Sequence, residues 1–236
     1  MINLVGAFTD PSGYGEAARN YAHCLDSIGP VALTSKSFWH GGGVNVSQFT
    51  YKFKGRISEQ FNLNSDTRIF NLTPENFIPT PHVRNIGMTT FETDSIPASW
   101  FRFMQSMDEI ITFSKFNQET FSRAGITRPI HIVPHGVDVD RFKPRKKKPI
   151  HARLKDKFVF GVNAEWSERK NLDNAIAAYL TAFQGNKDVA FLIKTFSQDR
   201  INIAERIARI RDGVVKCGKF PQIYLIEEML SPKDMI

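Results

Sequence analysis

The chain has 236 residues, 42% of them hydrophobic and 12% aromatic, enough to bury a substantial core as one large domain or two smaller ones, which excludes a disordered chain. It has no run of about 18 apolar residues, and its opening stretch, MINLVGAFTDPSGYG, has neither a basic n-region nor a cleavage-like h-region, so no transmembrane segment or export signal is expected and the cytoplasm is the default location. The net charge of +7 invites a nucleic-acid reading, but eleven Lys or Arg stand against three acids between residues 141 and 170, a local +8 that leaves −1 for the rest, so the excess reads as an exposed linker and no specific nucleic-acid partner is expected.

Residues 2–8 read as a strand. Thr9-Asp10-Pro11-Ser12-Gly13-Tyr14-Gly15 follows, then a helix with Ala17, Ala18, Tyr21, Ala22, Leu25 and Ile28 in one stripe, ended by Gly29-Pro30. Ser12 is placed to cap it. Residues 13–18 satisfy G-x-G-x-x-A in form. The next strand, 31–34, ends at Ser35-Lys36 with no acid to hold a ribose, so a dinucleotide fingerprint is not supported. Gly13 is read as a turn that lets backbone approach a ligand, with plain turn geometry as the alternative. His40-Gly41-Gly42-Gly43 reads as a loop, and residues 51–64 follow no period.

Strands read next at 67–72 and 85–90, the second running into Phe91-Glu92-Thr93-Asp94. A helix follows, with Pro97 near its first turn and Trp100, Phe103, Met104 and Met107 on one face. Glu92 and Asp94 therefore stand at a strand's C-terminal end, where open α/β sheets bind ligands. Helix capping is favoured for Asp94 and ligand contact for Glu92. Further strands at 108–113 and 130–133 flank a helix capped by Ser114 and stopped by Gly125. Strands alternating with helices in this way argue for a doubly wound, mostly parallel sheet.

Asp138-Val139-Asp140 is a D-x-D, but its neighbours read as an interdomain loop. His131 and His135 are four apart, yet Pro134 breaks any helix that would align them, so no metal site is expected. Cys24 and Cys217 have no C-x-x-C spacing, and each reads as a small core residue. Arg145-Lys146-Lys147-Lys148, between prolines, reads as the linker.

A second α/β pattern begins with a strand at 158–163, then a polar loop and a helix carrying Leu172, Ala175, Ile176, Tyr179 and Phe183. Arg169 and Lys170 stand just before that helix, where unpaired N–H groups and the helix dipole already favour an anion. A phosphate or diphosphate is the expected guest, and a solvated surface pair is the alternative. Lys194 ends the strand at 189–194 and is expected to face the same crevice as Lys170. A helix through Ile203, Ala204, Ile207 and Ala208 leads to a strand at 223–226, whose flank is expected to be apolar and bare. Ser231-Pro232-Lys233-Asp234 reads as the start of another helix.

PSGYGEAAR, IGMTTFETDSIPASW, MDEIITFSKFNQETF, IVPHGVDVDRFKP and EWSERKNLDNAIAAY together resemble, in register, the glycosyltransferase family 4 group of retaining enzymes with GT-B architecture. The resemblance implies two Rossmann-like, doubly wound parallel-sheet domains facing a cleft. Residues 1–140 would form the acceptor-side domain, 141–156 a basic linker and 157–236 a donor-binding domain that is incomplete, because the family's E-x7-E segment would lie beyond residue 236. The chain is then a fragment, a natural short form or half of a split enzyme, with a homodimer or a complementary C-terminal half as partner.

By the same resemblance, Lys170 matches the lysine that holds the donor diphosphate, and Gly13 the glycine turn facing it. The family's common Arg falls on Ala164, which leaves Arg169 as a substitute. Glu92 stands in the loop where many members carry a histidine, which makes it the candidate for a catalytic or acceptor contact. The implied function is transfer of a hexose, with retention, from a nucleotide-diphosphate sugar to a glycan or other acceptor, with no cofactor and no metal. The alternative is a non-catalytic nucleotide- or glycan-binding module.

Overall fold

Apolar strands alternating with amphipathic helices build two parallel sheets, one in each of two compact units, Met1–Asp138 and Val139–Ile236. The structure is a computed structural model that describes residues 1–10, 12–37, 52–53, 55–140, 142–144, 152–196, 202–214, 219–227 and 230. Cys217, the loop at 40–43, the basic run at 145–148 and the helix expected from 231 all lie outside the described residues. No helix among the described residues is long and apolar enough to cross a membrane.

The first unit runs β1 (Ile2–Gly6), α1 (Gly13–Ile28), β2 (Val31–Ser35), β3 (Ile57–Ser58), β4 (Thr67–Asn71), β5 (Arg84–Met88), α2 (Ala98–Gln105), β6 (Glu109–Thr112), α3 (Lys115–Arg123) and β7 (Ile130–Ile132). Its strands are ordered β3-β2-β1-β4-β5-β6-β7, all parallel. Helices cover both faces, so the strands are apolar on both sides. Leu4, Ile69 and Ile86 pack with Ala18 and Ala22 of α1 on one face. Val5 and Phe70 pack with Trp100, Met104 and Phe121 on the other.

Local signals explain the boundaries. The Ser12 hydroxyl accepts from the Gly15 amide and the Ser114 hydroxyl from the Asn117 amide, both at 3.2 Å, as caps should. The capping role expected of Asp94 is corrected. Pro97 occupies the cap of α2 with no side-chain cap bond, and Asp94 stands three residues upstream of it, before the first-turn amides. Cys24 is also corrected, because it is exposed. On α1 the buried positions are Gly15, Ala18 and Ala22, and Cys24 falls outside that stripe. The aperiodic stretch at 51–64 contains β3, two residues long and on the sheet edge, too short to show a period.

One buried charge lies beneath this sheet. Arg68 is 1% exposed, and its Nε and Nη2 donate to Asn3 Oδ1 at 3.3 Å and to the Asn62 carbonyl at 3.2 Å. Its Nη1 donates to the Thr80 hydroxyl, and the guanidinium lies 4.2 Å from the centre of the Phe61 ring. These partners are neutral, and burial pulls the Arg68 pKa down.

The second unit runs β8 (Phe158–Asn163), a 3-10 turn at Glu168–Lys170, α4 (Leu172–Ala182), β9 (Val189–Lys194), α5 (Ile203–Val214) and β10 (Gln222–Ile226), with strands ordered β10-β9-β8. Leu172, Ile176, Tyr179, Phe191, Ile193 and Ile203 form its core. Both outer strands of this sheet, β8 and β10, are edges, and residues 223–226 are only partly covered. Phe158 and Val159 are 63% and 37% exposed, whereas Ile223 and Leu225 pack against the core.

Gly15 is the glycine that this fold demands. A Cβ there would stand 2.2 Å from the Asp10 carbonyl oxygen and 2.9 Å from that of Ala7. At Gly13 an added Cβ meets nothing within 4 Å. Gly15→Ala is expected to destabilise the chain by ~1–3 kcal/mol, the range for forcing atoms into a packed site. Gly13→Ala is expected to change stability by less than ~0.5 kcal/mol. Urea denaturation of the two variants against the parent checks both.

Candidate functional site

In the first unit the chain runs β1, β2, β3 to one side of β1 and β4 to β7 to the other. The loops after β1 and β4 therefore diverge, and the C-terminal end of that strand pair is the switch point where α/β sheets bind ligands. The loop after β1 is pinned from α1. Arg19 Nη1 donates to the carbonyls of Phe8 (2.8 Å) and Asp10 (3.0 Å), while Nη2 pairs with Glu16 at 2.9 Å. Asp10, 1% exposed, accepts from the Ser37 hydroxyl beyond β2.

Gly13 opens α1 at the exposed edge of this loop. Its neighbour Tyr14 reaches into the crevice, and its hydroxyl lies 3.1 Å from Thr89 Oγ1, just past β5. Burial raises the Tyr14 pKa, and the negative charges of Glu75 and Glu92 raise it further, against the opposing hydrogen bonds of Thr89 and Thr90. Glu92 is thus exposed on the bend after β5, within electrostatic reach of Tyr14. That bend is held from α3: Thr90 Oγ1 donates to Asn117 Oδ1 at 2.6 Å, and Asn117 Nδ2 donates to the Phe91 carbonyl. Gly13 and Glu92 therefore stand in the loops after β1 and β5, with Tyr14, bonded to Thr89, between them in charge range of Glu92.

The two histidines have different partners. His131 Nε2 lies 3.0 Å from Glu109. His135 stacks on Phe113 with ring centres 3.8 Å apart, and its Nδ1 meets the Tyr21 hydroxyl at 3.0 Å. Burial lowers the His135 pKa and pushes that of Tyr21 up to about 12.

In the second unit, Arg169 and Lys170 occupy the exposed 3-10 turn before α4, joined to it by Asn171 in the left-handed region at φ 53°. The loop leading there hangs from the end of β9: the Ala164 amide donates to the Lys194 carbonyl at 3.1 Å and the Trp166 amide to the Phe196 carbonyl at 2.8 Å. Lys194 is half-buried beside Asn163 of β8, and its Nζ lies 5.5 Å from the centre of the Phe196 ring. Arg169, Lys170 and Lys194 thus share one end of the sheet. Asp173, the acid in the first turn of α4, is paired with Arg206 of α5 (Nε at 3.0 Å), so its charge is offset where an anion would approach.

Sequence reasoning missed Tyr14, Asp10 and Asn117. Tyr14 was the variable position of the glycine pattern, and the partners of all three come from distant parts of the chain.

Because burial lowers the folded pKa of His135 below the unfolded value of ~6.5, its contribution to stability is fully present above that value. It is lost as pH falls toward and through the folded pKa. His135→Phe keeps a ring on Phe113 and removes the titration. Its melting temperature is expected to fall less than the parent's between pH 7.5 and pH 5, which parallel thermal melts would measure.

No protein-family model matches this sequence, and no curated protein matches it. Solved structures do match in fold. HepE of Anabaena in complex with UDP-glucose superposes with a TM-score of 0.59 at 13% identity, over 96% of this chain and 69% of that one. A trehalose-6-phosphate synthase structure, from a study of glycosyl transfer with retention, gives 0.58 at 11%, over 99% and 74%. An E. coli trehalose-6-phosphate protein bound with UDP-2-fluoro glucose gives 0.57 at 11%, over 99% and 75%. At these identities the likeness establishes the fold: a seven-stranded parallel sheet and a second parallel sheet in the GT-B-like α/β class expected from the sequence.

Proposed function

We propose that this chain belongs to a retaining glycosyltransferase that moves a hexose from a nucleotide-diphosphate sugar to a glycan or other acceptor. The observation that carries this reading is the placement of Arg169 and Lys170. They stand at the entrance to α4, at the C-terminal end of a parallel sheet, in a fold whose solved neighbours hold UDP-glucose and UDP-2-fluoro glucose. The first-turn amides of α4 and the two cations would hold the diphosphate, and Lys194 stands at the same end of the sheet. As the sugar departs, negative charge grows on that diphosphate. Preorganised cations and amides stabilise it more than they stabilise the bound donor, which is how such a site accelerates transfer. The first unit would supply the acceptor contacts, with Glu92 as the candidate for them, while Gly13 keeps the donor-side role that the resemblance implies.

Lys170→Ala is expected to weaken UDP binding by ~10-fold or more, the effect of losing a hydrogen bond between charged groups. Isothermal titration of the full chain and the variant with UDP reads this out. Equal affinity would return Arg169 and Lys170 to ordinary surface charges. UDP binding without sugar release or transfer would favour the non-catalytic module.

Glu92→Gln is expected to lower acceptor-dependent turnover by ~10-fold or more, with stability unchanged within ~0.5 kcal/mol, because the residue is exposed and outside the core. A fully active variant would remove Glu92 from the site.

A further inference from the structure

β7 is the last strand of the larger sheet, with β6 on one side and no strand among the described residues on the other. Two bonds fix the direction of its backbone groups. The Ile110 amide donates to the Pro129 carbonyl at 2.9 Å, and the Val133 amide to the Thr112 carbonyl at 2.8 Å. Positions 129, 131 and 133 therefore face β6, and alternation turns the N–H and C=O of Ile130 and Ile132 outward. One of these four groups is covered, because Gln118 of α3 donates its Nε2 to the Ile130 carbonyl at 2.9 Å. The amides of Ile130 and Ile132 and the carbonyl of Ile132 have no partner among the described residues. An edge with open groups is a template for another strand. Pro129 and Pro134 bound this one, so only a short segment fits along it.

Beside this edge lies an open recess of about 580 Å³, between the last turns of α3 and the start of β7. Ile126 and Ile130 give it an apolar floor, and Ser122, Arg123 and Arg128 give it donors. Arg128 Nε donates to the Gln105 carbonyl at 2.8 Å, which anchors the side chain and leaves both terminal nitrogens without a partner among the described residues. Arg123 and the Ser122 hydroxyl have no side-chain partner there either. Glu119, the acid of the recess, lies 3.8 Å from Lys115 one turn back. The last carbonyls of α3 do not compete for the arginines, since the amides of Ala124, Gly125 and Ile126 already take those of Thr120, Ser122 and Phe121. Donors thus exceed acceptors and the uncommitted charge is positive, which calls for a ligand that brings carboxylates. Ile130 belongs to both features, so every second side chain of a strand laid along β7 would enter the recess.

We propose that the outer edge of β7 is a docking site for a short, extended, acidic segment of another protein, which adds to the sheet as an eighth strand. Its backbone takes the amides of Ile130 and Ile132 and the carbonyl of Ile132, and its alternate carboxylates meet Arg123 and Arg128. Ile132, 39% exposed, supplies apolar contact along the added strand. The recess is at the start of β7, whereas ligands of the transferase reading would sit at the C-terminal ends of strands, so the docking site stands or falls apart from that reading.

The test is fluorescence anisotropy of the full chain with a labelled, end-capped peptide of alternating glutamate and threonine, and with its lysine counterpart. Thermal melts of each variant and sedimentation velocity of the chain alone run in parallel. The glutamate peptide is expected to bind at micromolar concentration, more weakly as salt rises, and the lysine peptide not at all. Reversing both charges, Arg123→Glu with Arg128→Glu, is expected to cost ~10-fold or more in affinity for the glutamate peptide. Ile132→Pro removes an outward N–H and no bond to β6, so it is expected to melt near the parent while losing ~10-fold in peptide affinity. No binding of the glutamate peptide by the parent, equal binding of the two peptides, or parent-like binding by either variant overturns the proposal. If Ile132→Pro does not fold, Gln118→Ala decides in its place. It uncovers the Ile130 carbonyl and is expected to tighten binding about threefold, the worth of one modest hydrogen bond, and unchanged or weaker binding overturns the proposal. A chain that self-associates, with the association lost in Ile132→Pro or in the double charge reversal, places a second copy on this edge and overturns the assignment to an acidic partner.

Discussion

The first unit depends on how closely α1 approaches β1. Gly6 lets Ala18 pack directly on the strand, and Gly15 lets the first turn of the helix rest on the carbonyls of Ala7 and Asp10. With a side chain at either position the helix would have to lift, and everything hung from it would move. Arg19 could no longer reach the loop carbonyls at 2.8 and 3.0 Å. Tyr14 would lose the reach that takes it to Thr89. Close packing of this kind has little slack, because protein interiors are filled to the density of organic crystals. The crevice is therefore shaped by two missing methyl groups as much as by any residue that lines it.

The two units divide their chemistry. At the strand ends of the first, hydroxyls, amides and carboxylates stand with Lys36 just past β2, and Arg19 is turned back onto its own loop. At the strand ends of the second, Arg169, Lys170 and Lys194 gather beside a helix start whose one first-turn acid is already paired. Of the eleven Lys and Arg between residues 141 and 170, four form the run at 145–148, outside the described residues, and two, Arg169 and Lys170, stand at the entrance to α4. Net charge alone conceals that distinction, because a linker lysine and a lysine at a helix entrance count equally.

Much of the fold was legible because periodicity reports burial directly. The strands near 2–8, 67–72 and 189–194 are legible as short apolar runs buried on both faces, and the Trp100-Met104-Met107 stripe repeats at the spacing of the face it buries. Caps at Ser12 and Ser114 were legible because their chemistry is local. The sequence misled where the outcome depended on distant partners or on strand order. Cys24 is small and thiol-bearing, but its exposure follows from the phase of α1. Which strands end the second sheet depends on the direction in which strands are added, which no single segment encodes. Of the candidate site, the cations before α4 could be read as a pattern, whereas Tyr14 could not, since its partner is 75 residues away.

Arg68 ties the order of folding to the chemistry of its side chain. A guanidinium stays protonated at any accessible pH, so it cannot enter the interior by shedding its charge and must be wrapped by acceptors as it is buried. Those acceptors come from Asn3, Asn62 and Thr80, and the Asn3 contact spans 65 residues of chain. β1 therefore does not complete its contacts with β4 until that strand and the turn beyond it have emerged. Closing so long a loop before its contacts form is slow, as in other non-local parallel sheets. During translation, Ile2–Gly6 has β2 as its one available neighbour in this sheet until β4 follows, and the set of acceptors around Arg68 is complete only once Thr80 is delivered.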